Sequence, residues 1–419
     1  MSWFGSSSTP SGPNFHPVQL AFDQQALFGP LEPQDTEWLC AGGFVTETQT
    51  FYATTNKGQL VMCQVIHSAV GLWYPSIQFT FRFVDQTNNK HVWKSIAVTN
   101  FSSSPSGLDK RSCRSDQFSI TCDGSKYTII GKYDDDVSLS LTFERLAQGF
   151  KVGAGPRGGM SYFGQSKPPT TKTVGPDING GTDGYAVHRF WPRCKVTGVV
   201  RFGQQEMIDL EQSRGMFVHA IQGMRPNVLA ASWNFANFQS PAEGQDSGVA
   251  LVMMEFKTIP LYGNKKVNIG CIVVDDKLIA VTAGGDGVEG DKSTCIHLNP
   301  IKDAETDYKA PSSIKYLWSG STLDSSTGKP TGQTNTTGEI LLELKTNQDN
   351  EKYETRGLVE KVDVLGQIPY LIKKFVNYAA GTKPFIYTWL NPVKAEIATP
   401  DNKRQVQGTM FVEATFISE

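Results

Sequence analysis

Val187-His188-Arg189-Phe190-Trp191-Pro192-Arg193, read together with the residues onward to Ser240, decides how the chain divides. Gly215-Met216-Phe217-Val218, Gln222-Gly223-Met224-Arg225-Pro226 and Trp233-Asn234-Phe235-Ala236-Asn237-Phe238-Gln239-Ser240 complete the stretch. It lies at the middle of the chain and is dense in Trp, Phe and Met. Those residue types line apolar pockets and interfaces, and the amides, His and Arg among them can orient a bound group. Strand patterns that precede the stretch recur after it, so it reads as the seam between two related β-domains.

On its N-terminal side the chain alternates with period two. Ile77, Phe79, Phe81 and Phe83 are interleaved with Gln78, Thr80, Arg82 and Val84, which predicts a strand with one buried face. Phe51 to Thr54 and Leu60 to Ser68, joined at Asn56-Lys57-Gly58, read as a hairpin. His91 to Val98, Phe118 to Cys122, Tyr127 to Gly131 and Val137 to Phe143 come next between turn signals, the spacing of a barrel or sandwich. Gly153 to Gly184 reads as a long loop or lid; its Gly155-Pro156-Arg157-Gly158-Gly159 lacks the spacing and lysine of a phosphate loop.

On the C-terminal side, Val249 to Asp275 repeats the layout of Leu60 to Asp85. Each has an apolar strand, a tyrosine-bearing connection (Tyr74, Tyr262) and a second alternating strand, which points to a duplicated domain. Further strands are expected at Glu339 to Lys345, Gly357 to Val364, Lys383 to Leu390 and Thr409 to Ser418. One helix stands out: Pro369 to Ala380 sets Leu371, Ile372, Phe375, Val376 and Ala379 at helical spacing, with Gly381 as C-cap. The resulting expectation is an all-β chain of two tandem antiparallel β-barrel domains with one packed C-terminal helix. Residues 1–44 are expected to be a flexible segment, 45–214 the first domain and 215–419 the second.

At 419 residues the length itself favours two domains. Charge is balanced, 39 basic against 41 acidic, which argues against a general nucleic-acid binder. No apolar run reaches the roughly 18 residues of a spanning helix. The start, Met1-Ser2-Trp3-Phe4-Gly5-Ser6, lacks the basic and apolar regions of a secretory signal. Seven cysteines without a CxxC pair read as buried free thiols of a reducing compartment. Ser6 to Pro13 reads as disordered and Pro17 to Phe28 as a short, loosely amphipathic helix. Trp3, Phe4, Phe22, Leu27 and Phe28 are its candidate membrane-docking residues, although no Lys or Arg precedes Lys57 to attract anionic lipid.

Catalytic signatures are missing. The six histidines have no metal-ligand spacing, there is no nucleophile elbow, and no metal or cofactor is expected. Glu255 ends the apolar run Val249 to Met254 and needs a partner, for which Arg189 and Arg193 are candidates. Strands apolar on both faces (Leu60 to Ile66, Val249 to Met254) fit a barrel enclosing an apolar ligand. They fit a packed interdomain interface equally well, and both readings stand at this point. The candidate ligand residues of the seam are His188, Trp191, Arg193, Gln222, Met224, Trp233, Asn234, Phe235, Gln239 and Glu255.

The words Phe190-Trp191-Pro192-Arg193, Gly215-Met216-Phe217-Val218, Gln222-Gly223-Met224 and Trp233-Asn234-Phe235 resemble the fungal survival factor 1 family. So do Gln64-Val65-Ile66-His67-Ser68, Val362-Asp363-Val364, Gly381-Thr382-Lys383-Pro384-Phe385-Ile386-Tyr387 and Thr415-Phe416-Ile417-Ser418-Glu419. The resemblance runs from about residue 45 to the end. It implies two lipocalin-like domains and a non-enzymatic, monomeric carrier of ceramide from endoplasmic reticulum to Golgi that supports survival of oxidative stress. It also implies a cytoplasmic protein, with a nuclear pool not excluded, peripheral on those two membranes. In the family an N-terminal amphipathic helix docks on membranes, and the first 40 residues here depart from that pattern. The wider superfamily includes hydratases and Diels–Alderases. An enzyme acting on a hydrophobic small molecule, with His188, His219 or Glu255 as acid or base, is therefore the alternative.

Overall fold

Phe79, Phe81 and Phe83 all sit fully buried on one side of their strand, as period-two alternation requires. The computed structural model describes residues 13–18, 27–70, 75–164, 182–242, 248–285, 291–324, 329–332, 336–344, 355–364 and 383–418. In the first domain, β1 (Phe44–Thr54), β2 (Leu60–Val70), β3 (Ser76–Asp85) and β4 (Lys90–Ala97) form a meander. Then come β5 (Phe118–Asp123), β6 (Lys126–Lys132), β7 (Val137–Arg145), the long β8 (Thr182–Phe202) and β9 (Ser213–Gln222). Their order across the sheet is β4-β3-β2-β1-β9-β8-β7-β6-β5, all pairs antiparallel. The sheet curls until the chain beyond β4 meets the start of β5, where Asp116 N–H donates to the Thr99 carbonyl at 3.1 Å.

The second domain repeats this plan. Its strands are β10 (Ser232–Gln239), β11 (Val249–Lys257), β12 (Lys266–Val274), β13 (Lys277–Gly285), β14 (Lys292–Leu298), β15 (Ser313–Gly320), β16 (Thr336–Glu343), β17 (Leu358–Asp363), β18 (Phe385–Ala398) and β19 (Lys403–Phe416). The order is β13-β12-β11-β10-β19-β18-β16-β15-β14, with β17 on β18. It matches the first sheet position for position, so the duplication expected from Leu60–Asp85 and Val249–Asp275 extends over the whole of each domain. Because β9 belongs to the first sheet, the boundary drawn at 214/215 cuts through a strand. The division falls after Gln222 and before Ser232 instead.

Both barrel lumens carry packed aromatic cores, and the second opens at one end into a cavity of about 620 Å³ lined by Asn234, Glu255, Cys295 and His297. In the first, the Trp191 ring lies 4.8 Å from Tyr127 and 5.4 Å from Phe217, and Phe79 stacks on Tyr133 at 4.3 Å. In the second, Trp389 stacks on Tyr387 and Trp318 on Tyr316, and the indole of Trp318 donates to the Val252 carbonyl at 2.9 Å. A third apolar cluster joins the domains and draws residues such as Tyr52, Met216, Phe235 and Phe411 from both.

Pro192 explains the bulge in β8. Proline cannot donate to a ladder and is tolerated at bulges. The pairing of β8 with β9 shifts register between Trp191 and Cys194. Before the bulge β8 pairs with a short strand at Met160–Gly164, and after it with β7. The segment read as a lid therefore contains a buried strand, since Met160, Tyr162 and Phe163 pack inward.

The N-terminal segment also differs from expectation. Phe15–His16 pairs with Tyr162 and Phe163, and Phe28–Pro30 pairs with Phe150–Val152. A turn at Pro33–Thr36 buries Asp35, which takes Lys151 Nζ at 2.5 Å, while Arg189 reaches both its carboxylate (3.5 Å) and its carbonyl. Beside it Glu47 accepts the backbone N–H groups of Leu39 and Cys40 and meets His219 Nε2 at 2.9 Å. The stretch expected to be a free segment thus packs on the first domain through Phe28 and through the buried ionic plug around Asp35. Trp3, Phe4 and Phe22 lie outside the described residues, as does the helix expected at Pro369–Ala380.

Candidate functional site

Alternation along the strands that meet at the seam gives each a second, covered face. On β1, Phe51 and Ala53 enter the lumen cluster, while Thr48, Thr50 and Tyr52 face the other domain. On β9, Phe217 points into the lumen and Val218, Ala220 and Gln222 point across the seam. Opposite stand Trp233 and Phe235 of β10 and Glu413 and Thr415 of β19. These pairs, β1/β9 and β10/β19, occupy equivalent places in the two sheets. Between them a cleft of about 290 Å³ is completed by Gln64, His188, Met254, Val364, Pro384, Ile386 and Ile417.

Its walls are mainly apolar and aromatic. The Tyr52 ring lies 5.2 Å from Phe235 and 5.7 Å from Phe411; Trp233 lies 5.1 Å from Phe256 and 6.0 Å from His188. Polar side chains are set among the rings: Thr48, Thr50, Gln64, His188, Gln222, Glu413 and Thr415. Gln64 donates to Thr50 Oγ1 at 2.7 Å. His188 is buried, and burial pulls its pKa down to about 4, so its ring is neutral at physiological pH. Glu413 is enclosed on its strand, burial pushing its pKa up while nearby Arg82 acts the other way.

Two arginines clamp the cleft from opposite sides. Arg82 of β3 reaches Glu360 at 3.0 Å and Thr388 at 2.8 Å, both in the second domain. Arg193, aimed across the seam by the bulge, reaches Gln239 Oε1 (3.1 Å), the carbonyls of Ser240 (2.9 Å) and Val249 (3.1 Å), and Asp276 (3.1 Å). The strands β2, β1 and β9 lie between these anchors in the sheet. Gly248, at φ +85°, leaves room for the second clamp: a Cβ there would stand 2.7 Å from the Arg193 guanidinium.

The ten seam residues singled out from sequence fall into three groups. His188, Gln222, Trp233 and Phe235 line the cleft. Trp191, Arg193, Met224 and Gln239 do not: Trp191 fills the first lumen, Met224 packs in the interdomain core, and Gln239 joins Arg193 in locking the domains. Asn234 and Glu255 face a second cavity, of about 620 Å³, on the far side of Trp233. There Glu255 accepts from Asn234 (3.2 Å) and Asn268 (2.9 Å), with Lys266 at 3.9 Å; Arg189 and Arg193 are committed elsewhere. The three acid–base candidates do not converge, since His219 is in the first-domain plug and Glu255 in this second cavity. Sequence reading missed Tyr52, Arg82 and Glu413. Glu413 alternates with the lumen residues Val412 and Ala414, which in an isolated barrel would put it in water. Nothing local signals the second domain that covers it.

Leu27 and Phe28 are built into the first domain, Phe28 being buried in its strand pair with Val152. Docking on a membrane in this conformation would not use Phe28. Among the described residues no group of His, Cys, Asp or Glu is placed to hold a metal ion, and no helix is long and apolar enough to cross a membrane.

A pair of duplicated, curled antiparallel sheets with an apolar cleft where their outer faces meet defines a two-domain lipocalin-like protein. Solved structures share the arrangement. CghA superposes with a TM-score of 0.59 at 10% identity, covering 97% of this chain and 100% of that one. Kievitone hydratase from Nectria haematococca gives 0.51 at 13% identity, covering 96% and 98%. At such identities the likeness concerns the fold. The chain belongs to the Svf1 family, whose model matches residues 2–418. Relatives include the ceramide-binding protein svf1 of Aspergillus fumigatus, 33% identical over 418 residues (94% of this chain, 92% of the relative). The protein of that name in Schizosaccharomyces pombe is 31% identical over 421 residues (99% and 97%).

Proposed function

We propose that this protein is a non-enzymatic carrier of a ceramide-type lipid, held in the cleft between its domains. The observation that carries the reading is the cleft itself: a largely apolar, ring-lined space between the domains, with polar side chains set among the rings. Such a site binds by burial and shape and fixes orientation with its polar atoms. The name carried by its relatives supports ceramide as the ligand. In this reading the protein works in the cytoplasm, touches endoplasmic reticulum and Golgi membranes peripherally and moves ceramide between them. Its support of survival under oxidative stress is a consequence of that traffic, without a redox centre.

The test is extraction and transfer. Purified protein mixed with vesicles containing labelled ceramide should move label to acceptor vesicles, and Trp233→Ala should slow that transfer on the order of 10-fold through lost wall area. Transfer no faster than with heat-denatured protein would sink the reading. Of His188, His219 and Glu255, offered as alternative acid–base groups by the enzymatic reading, His188 alone lines the cleft.

A further inference from the structure

Of the polar side chains lining the cleft, those of Tyr52, His188, Gln222, Glu413 and Thr415 have no hydrogen-bond partner among the described residues. Glu413 is the one carboxyl in the lining, and the inference drawn from it and Tyr52 rests on the lipid-binding reading. Along β19, Met410, Val412 and Ala414 pack into the second lumen, so Glu413 projects from the opposite face into the cleft. Its carboxylate receives no hydrogen bond. Arg82, the nearest cation, is already engaged by Glu360 and Thr388, so it supplies a field rather than a donor. On the facing wall the Tyr52 hydroxyl likewise makes none, and the two groups are close enough to influence each other's ionisation. Glu413 is half-buried and both groups open to the cleft, so a ligand that fills it takes them out of water and has to offer them hydrogen-bond partners in return.

We propose that Glu413, seconded by Tyr52, is the polar anchor of the cleft and takes the hydroxyl groups of a lipid head, while the hydrocarbon lies along Trp233, Phe235 and Met254. A carboxyl offers two oxygens to hydroxyl donors, and the Tyr52 hydroxyl can donate to an amide carbonyl or accept from its N–H. The geometry therefore selects a long-chain amide carrying free hydroxyls over a lipid of the same shape whose oxygens are capped.

Equilibrium binding of two labelled probes tests this: palmitoyl ceramide, and the same molecule with both hydroxyls methylated. Full-length protein should prefer the free diol on the order of 10-fold, the value of one hydrogen bond to a charged group. Glu413→Leu should lose that preference by weakening ceramide binding while the capped probe binds as before. Glu413→Gln, which keeps the shape and half the acceptors, should fall between, and it decides the matter if Glu413→Leu does not fold. Equal binding of both probes by the unaltered protein, or a preference surviving in both variants, overturns the anchor and leaves the carrier reading standing. Binding of neither probe overturns the carrier reading and the anchor with it.

Discussion

The barrel lumens and the seam are lined by opposite faces of the same strands, and they are finished differently. In the first lumen Phe51 touches Phe217 at 4.8 Å, Trp191 touches Tyr127 at 4.8 Å, and Phe79 lies on Phe118 at 4.5 Å. Ring succeeds ring until the space is gone. Across the seam the same strands present Thr48, Thr50 and Tyr52 on one side and Phe235, Glu413 and Thr415 on the other. Short hydroxyl side chains alternate with rings, and a cleft remains. A lipocalin-like barrel can hold its ligand inside; here the lumens carry the aromatic cores, the second opening at one end into the cavity beside Glu255, and the cleft lies between the domains. Stability is therefore concentrated in the lumens, while the proposed reading puts binding at the seam, and substitutions should separate the two.

The largest separation is expected at Trp191. Trp191→Ala empties a fully buried indole site in the first lumen and should cost roughly 3–5 kcal/mol of unfolding free energy. Denaturant titration would read it as a lower midpoint. Under conditions where the variant is still folded, lipid affinity should change little, because Trp191 does not line the cleft. A variant of near-normal stability that had lost binding would break the division between lumen and seam.

Arg193 lies on the division itself. Arg193→Ala removes the donor to two carbonyls and Gln239 and leaves Asp276 without its guanidinium, a loss of about 3 kcal/mol. Each lumen stays intact, so the expected signature is a melt that splits into two transitions as the domains uncouple. Gly248→Ala should reproduce part of this by crowding the same guanidinium and straining a left-handed backbone position. A single unsplit transition in both variants would mean that the apolar interdomain core holds the seam without the clamp.

How much of the molecule is legible in its sequence depends on what each pattern encodes. Ile77 to Phe83 announces a strand with a lumen face because burial there is a property of that strand alone, but the one-faced strand it predicts is buried on both faces, Thr80, Arg82 and Val84 being covered too. The duplication is visible for the same reason, each half having to close its own barrel. Pro192 marks a special point in β8, but the direction in which the bulge aims Arg193 is a three-dimensional fact. The seam residues are harder still. Trp233 and Phe235 stand out as rings, whereas Glu413 and Tyr52 look like ordinary occupants of a strand's other face. Glu255 looks anomalous because its strand is apolar on both faces, and the arginine partner it suggests is replaced by two asparagines and a distant lysine. The ionic plug of Asp35, Lys151 and Arg189 is invisible, since Asp35 is over a hundred residues from both cations and the segment carrying it has the composition of a loop.

Acid should weaken the seam more than the lumens. His188 lies in the cleft with its pKa lowered to about 4 by burial, while an unfolded chain restores a value near 6.5. Between those values the unfolded state binds the extra proton, so the contribution is fully present above about pH 6.5 and is lost as pH falls towards 4. The amount is on the order of 2–3 kcal/mol. His297, in the second cavity, is lowered to about 4 by burial and then by Lys266, and adds a similar slope. His91, lowered to about 4 by burial and then by Arg82, and His67, lowered by burial, act in the same direction. His188→Gln should therefore flatten about a third or less of the histidine-dependent fall in stability across that window, measured by denaturant midpoints at successive pH values. A profile identical to that of the unaltered protein would remove His188 from the buried, neutral role assigned to it.

The smallest expected effect concerns the thiols, and it sharpens the same comparison. All seven cysteines are free, and six are buried; Cys63, Cys113, Cys122 and Cys194 line the first lumen. Burial raises each of their pKa values, that of Cys122 to about 11, so the reactive thiolate is scarce. Cys40 is the partly exposed one, and burial raises it to about 11 as well. Cys40→Ser should change stability by less than about 0.5 kcal/mol and leave lipid binding and peroxide survival as they were. In native protein an exposed-thiol reagent should label Cys40 slowly and the lumen cysteines only at the rate of unfolding. Ligand should then slow lumen labelling only as far as it stabilises the whole fold, because it sits outside the barrel. Lumen labelling that slowed far beyond that global stabilisation, or that proceeded as fast as labelling of Cys40, would show the lumens opening during the binding cycle, and the support and the site would have to be treated as one.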